Sequence, residues 1–172
     1  MSTTDPFDAL GLAARFDVDD ADVRRAWLKA SARLHPDRTT LDPDDAAAQL
    51  ATINDAKRAL EDPERRADAM LARLGGPGKG AERGLPDGFL EQMLDIRTRM
   101  EQAQAASDTT VLAELGTWAH AERERFVERV GTLFQDADAA ALRSIRLELN
   151  AWRYIERMIE QLDPDHDDGV PA

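Results

Sequence analysis

His35, Pro36 and Asp37 stand together where a segment rich in Ala, Arg and Leu stops, in the stretch SARLHPDRTT. An imidazole and a carboxylate two residues apart are raw material for general acid–base chemistry. Pro36 qualifies that reading. It disfavours helical geometry at His35 and has no N–H to donate, so the preceding helix must end and the tripeptide falls on an exposed loop. No nucleophile or pocket can be named beside it, and the acid–base reading stays without a mechanism. Upstream, Arg25, Lys29 and Arg33 recur at i, i+4 and i+8, a single stripe along a helix. Between Ala21 and Arg38 there are five basic and two acidic residues, so this stretch is +3 inside a chain of net charge −12. The bland reading of such a stripe is a solvated face; the local reversal of sign argues for more than that.

Other chemistries find no footing. The three histidines, His35, His120 and His166, are scattered and make no i, i+4 ligand pair. DPDHDDG, near the C-terminus, has neither the spacing nor the closing Glu of a calcium loop and reads as an acidic tail. The absence of cysteine removes disulfides, thiol catalysis and Cys-based zinc sites, and fits a reducing compartment. The glycines at 75–80 follow no strand, so they are not a phosphate-binding loop. No catalytic residue, metal or cofactor is expected, and the chain is not read as an enzyme.

A chain this acidic is a poor general binder of nucleic acid, whose phosphates it would repel. The start MSTTDPFDAL lacks the basic and apolar regions of a signal peptide, and no apolar run approaches the ~20 residues that span a bilayer. A soluble cytoplasmic protein is expected, with neither a nucleic-acid nor a membrane partner.

The elements that must position these residues are helical throughout, because β-branched residues never cluster in alternation. Asp19 or Asp20 caps a helix in which Val23, Trp27, Ala30 and Leu34 share one face. Asp42 caps the next, with Pro43 at its first position and Asp44 and Asp45 favouring the positive end of its dipole. Ala46, Leu50, Ile53, Ala56 and Leu60 give that helix its apolar face. Pro63 marks a break, and ERRADAMLARL forms a short further helix. GGPGKGAERGLP, residues 75–86, reads as a linker. Beyond it come three helices, near 87–106, 108–135 and 137–163. Phe89, Met93, Ile96 and Met100 form a core stripe of the first, with Leu90 and Leu94 on its flank. The last carries one apolar row of Leu142, Ile145, Leu149 and Trp152, and a second of Leu147, Ala151, Tyr154 and Met158. The second row is either the shoulder of a wide core, which spacing alone favours, or a surface for a partner. The division expected is 1–74, a linker 75–86, a helical domain 87–163 and a disordered tail 164–172.

The tripeptide after a basic amphipathic helix, followed by INDAKRALEDPERRADAML and preceded by DPFDALGL, resembles a J-domain, the module by which DnaJ-type co-chaperones stimulate DnaK-type ATPases. LPDGFLEQMLDIRTRMEQA and LNAWRYIERMIEQLD resemble the C-terminal helical domain of the HscB family, J-type co-chaperones of iron–sulfur cluster assembly. ATIND and RRADAMLARL are also similar to that family. The resemblance implies an L-shaped, all-α protein, a J-domain helical hairpin joined to a three-helix bundle. It implies two partners, an HscA-type ATPase chaperone and an IscU-type cluster scaffold. Carried over by position, His35, Pro36 and Asp37 with Arg25, Lys29 and Arg33 would face the chaperone, and Leu90, Leu94 and Tyr154 the scaffold. The sequence departs from the family at Leu34, where Tyr is usual, and at Arg38, where Lys is usual. At Glu91 the family has an apolar residue that helps to bind the scaffold.

Overall fold

The computed structural model describes residues 4–35 and 39–162. Pro36, Asp37 and Arg38 lie outside the described residues, as do His166 and the expected tail. The described residues form seven helices and no strand: α1 (Pro6–Leu10), α2 (Asp20–Arg33), α3 (Pro43–Glu61), α4 (Pro63–Arg73), α5 (Phe89–Ala106), α6 (Thr109–Leu133) and α7 (Ala139–Leu162). None of them is long and apolar enough to cross a membrane. The chain separates into two compact units, Met1–Gly76 and Pro77–Ala172.

Local sequence sets the helix starts of the first unit. Asp19 accepts a hydrogen bond from Ala21 N at 2.8 Å, and Asp42 accepts from Asp44 N and Asp45 N at 3.0 and 2.9 Å. The amide of Asp45 above all holds the Asp42 carboxyl below the usual carboxylate range. α3 ends at Glu61 because Asp62 turns to extended geometry and caps α4, accepting from Arg65 N at 3.0 Å, with Pro63 at the first helical position. The core gathers Phe7, Leu10, Val18, Val23, Ile53, Ala56 and Leu60 from α1, α2, α3 and the loop between α1 and α2. Arg73 fastens α4 to α1 through Asp5 and Asp8 at 2.7 and 2.9 Å, and these partners raise its pKa. One expectation fails here. Leu50 is 38% exposed, because burial along α3 begins at Ile53. Periodicity names a face of a helix but not how much of its length a neighbour covers.

The second unit is a three-helix bundle. Asp108 caps α6, accepting from Thr110 N and Val111 N, both at 3.1 Å. Asp138 accepts from Ala141 N at 2.8 Å at the start of α7. Four aromatics run through the bundle. Tyr154 meets Phe89 edge to face at 5.9 Å, Phe89 meets Phe126 likewise at 6.2 Å, and Phe126 stacks on Trp152 at 6.0 Å. The Trp152 indole donates to Glu156 at 2.6 Å, and Glu156 in turn pairs with Arg123 at 3.0 Å.

The segment read as a linker is held against α7. Arg146, almost fully buried, donates from Nε to the Pro77 carbonyl at 3.0 Å. Asn150 Nδ2 donates to the carbonyls of Glu82 and Gly84 at 3.1 and 2.9 Å. Gly84 packs close to α7: a Cβ there would come within 2.9 Å of the Leu147 Cδ2 methyl, which would have to shift to admit it. Gly88, with φ of 75°, then turns the chain into α5.

Candidate functional site

Two exposed surfaces answer to the residues singled out by sequence, one in each unit. On α2 the apolar side faces the core. Val23 is buried, Trp27, Ala30 and Leu34 are half-buried, and the Trp27 indole donates to Asn54 Oδ1 of α3 at 2.8 Å. The Lys57 ammonium lies over the same indole, 5.4 Å from its centroid. With that side committed, Arg25, Lys29 and Arg33 are all exposed. Arg25 pairs with Asp22 one turn back; among the described residues Lys29 and Arg33 make no ion pair. His35, two residues past the last helical residue, is also exposed. Thr39 N donates to the His35 carbonyl at 3.0 Å, so the described residues on either side of 36–38 are hydrogen-bonded to each other. The structure therefore exposes Arg25, Lys29 and Arg33 along one stripe of α2, with His35 exposed just past the helix end; Pro36 and Asp37 are not among the described residues.

Sequence reasoning missed what holds α2 in place. Arg66 of α4 is buried, lies over the Phe16 ring at 5.7 Å, and donates to the Val18 carbonyl at 2.8 Å. It also lies 3.6 Å from Asp20, the first residue of α2. Burial pushes its pKa down and Asp20 opposes the shift, while its Nε has no hydrogen-bond partner. The pattern RRADAML gave no sign of this, because a charged pair in an amphipathic helix reads as solvated.

In the second unit the core stripe of α5 behaves as its spacing predicts. Phe89 and Met100 are buried and Met93 and Ile96 half-buried, while Leu90 and Leu94 are 64% and 66% exposed. On α7 the second apolar row divides. Ala151 and Met158 join the core, whereas Tyr154 stays 41% exposed. Leu90, Leu94 and Tyr154 then line one open groove of about 740 Å³ between α5 and α7, with Met93, Met158 and Arg157 among its other walls. Glu91 does not line this groove. It follows Leu90 by about 100° around the helix, which carries it off the apolar face. The second row of α7 thus divides between core positions and one exposed side chain, Tyr154. Among the described residues no group of three His, Asp or Glu is placed to hold a metal ion.

These two surfaces lie within two recognisable modules. Residues 5–69 match the family model described as DnaJ domain, and residues 85–163 match that of the HSCB C-terminal oligomerisation domain. A co-chaperone protein HscB homolog from Bordetella petrii is 31% identical over 169 residues, covering 94% of this chain and 96% of the relative. The chain belongs to the HscB family of J-domain co-chaperones. Solved structures agree in fold. The human co-chaperone protein HscB has a TM-score of 0.79 at 21% identity, over 96% of this chain and 83% of that one. Chaperone HscB from Vibrio cholerae has a TM-score of 0.73 at 24% identity, over 97% of this chain and all of that one.

Proposed function

We propose that this co-chaperone recruits an HscA-type ATPase through α2 and the His35-Pro36-Asp37 loop, stimulates its ATP hydrolysis, and presents to it an IscU-type iron–sulfur scaffold seated in the α5–α7 groove. The observation that carries the reading is the pairing on one chain of two unlike exposed surfaces. One is a basic column on α2 with His35 exposed just past the helix end, in the unit that matches the DnaJ domain. The other is an apolar groove lined by the three residues that the family resemblance assigns to the scaffold. Among the described residues neither surface places a nucleophile beside a base, and both suit docking. In this scheme the chain supplies no catalytic group; it changes the rate of a partner's reaction by binding.

His35→Gln tests the chaperone arm. The side chain is exposed, so stability should change by less than about 1 kcal/mol. In single-turnover hydrolysis by a purified HscA-type ATPase, stimulation by the full chain should fall to near the unstimulated rate. Normal stimulation by a folded His35→Gln variant would overturn the assignment. A different client for the bundle is the second reading; Glu91, where the family has an apolar residue, bears on it only if the client reaches past the groove and around α5.

A further inference from the structure

Leu28 is 55% exposed in the middle of α2, although the helix has already committed its apolar face to the core. Its place on the helix is specific. Arg24, Leu28 and Ala32 recur at i, i+4 and i+8 along one row of the helix, and His35 follows just past its end. Every one of them is exposed. The column of Arg25, Lys29 and Arg33 runs directly beside this row. Leu28 and the small Ala32 thus form an apolar strip with Arg24 at one end, His35 at the other and a basic column along its edge.

We propose that Leu28 is the apolar centre of the α2 docking face, and that the ATPase chaperone meets it with an apolar side chain set among carboxylates. The inference rests on the function proposed above and adds a residue that the resemblance does not assign. The occupant follows from charge: the stretch 21–38, at +3 in a −12 chain, is complementary to an acidic surface. The leucine supplies what the charges cannot. Long, solvated basic side chains contribute little binding when they stay wet, whereas an apolar contact at the centre of a patch excludes water and makes the surrounding pairs stronger. Ala32, one turn on, leaves room for the partner's side chain to lie flat along the helix. A second copy of this chain is the rival occupant, and its own strong acidity would suit the same face.

The test uses the full chain with a purified HscA-type ATPase, reading the co-chaperone concentration that gives half-maximal stimulation. Leu28→Ala and Leu28→Lys should each raise it at least fivefold with helicity unchanged, and Leu28→Met should recover most of the loss. Leu74→Ala, an exposed leucine at the end of α4, should match the parent. If Leu28→Lys works as well as or better than the parent, the position reads charge and the proposal is wrong. If Leu28→Ala leaves stimulation intact but changes the elution volume of the chain alone, the leucine serves self-association and the proposal is equally wrong. Loss of stimulation in His35→Gln alongside parent-like Leu28→Ala would sink this inference only; normal stimulation in both would sink the chaperone assignment itself.

Discussion

On α2 the exposed column is Arg25, Lys29 and Arg33; in the groove of the second unit it is Leu90, Leu94 and Tyr154. The first surface attracts at a distance and fixes little shape, since each basic side chain has several rotatable bonds and, among the described residues, no ion pair holds Lys29 or Arg33. The second has shape, and the three charges among its walls, Arg97, Glu101 and Arg157, partly cancel. Its tyrosine is braced edge to face on Phe89, so part of the ordering cost of binding is already met in the free protein. The difference fits the two tasks proposed. A partner that must come and go through an ATP cycle suits a surface governed by steering and rapid release. A client that must stay until it is handed over suits a preformed apolar seat.

The comparison can be broken at either surface. The largest effect should come from reversing charge on α2. Arg25→Glu with Lys29→Glu should abolish stimulation of an HscA-type ATPase while circular dichroism stays unchanged. In the parent, half-maximal stimulation should shift to higher co-chaperone concentration as salt is raised, since exposed charges are screened over ~8 Å at physiological ionic strength. Stimulation indifferent to both salt and charge reversal would remove the contrast altogether. Next in size is the groove. Leu90→Ala, Leu94→Ala and Tyr154→Ala together should weaken binding of an IscU-type scaffold at least tenfold, ~1.4 kcal/mol, with chaperone stimulation retained. Calorimetry on the parent should show a negative heat-capacity change and little salt dependence. A client whose binding falls with salt as steeply as the chaperone's would make the two surfaces alike.

The smallest effect sharpens the comparison. Glu91 stands outside the groove lining, so Glu91→Met should alter scaffold affinity by less than about twofold, as exposed changes away from a patch usually do. A tenfold gain would mean that the client reaches beyond the groove and around α5, and that the seat is wider than its walls.

The helix boundaries were legible because their causes are local. Asp42-Pro43 and Asp62-Pro63 each place a capping carboxylate and a preset φ within two residues. Leu90 and Leu94 could be set apart from the core because Phe89, Met93, Ile96 and Met100 already filled the stripe that a bundle helix needs. The two buried guanidinium groups were not legible. Arg66 finds its carbonyl partner 48 residues away and Arg146 finds its own 69 residues away, and no periodicity encodes such pairings. Leu28 was passed over for a related reason. A leucine in an amphipathic helix reads as core until its neighbours are seen to be facing elsewhere. Leu50 is the opposite error, a residue in register with the core but beyond the reach of the helices that bury it.

The clamp between α7 and residues 77–84 bears on how the gene can be divided. The glycines and prolines there invite a cut just before α5, on the view that everything upstream is slack. A fragment beginning at residue 87 would strip away the Pro77 carbonyl and leave Arg146 a buried cation with one acceptor fewer, and would take both acceptors from Asn150. Expression of the C-terminal half should start at Pro77, and a shorter clone that fails to bind its client would report a damaged fragment and say nothing about the groove.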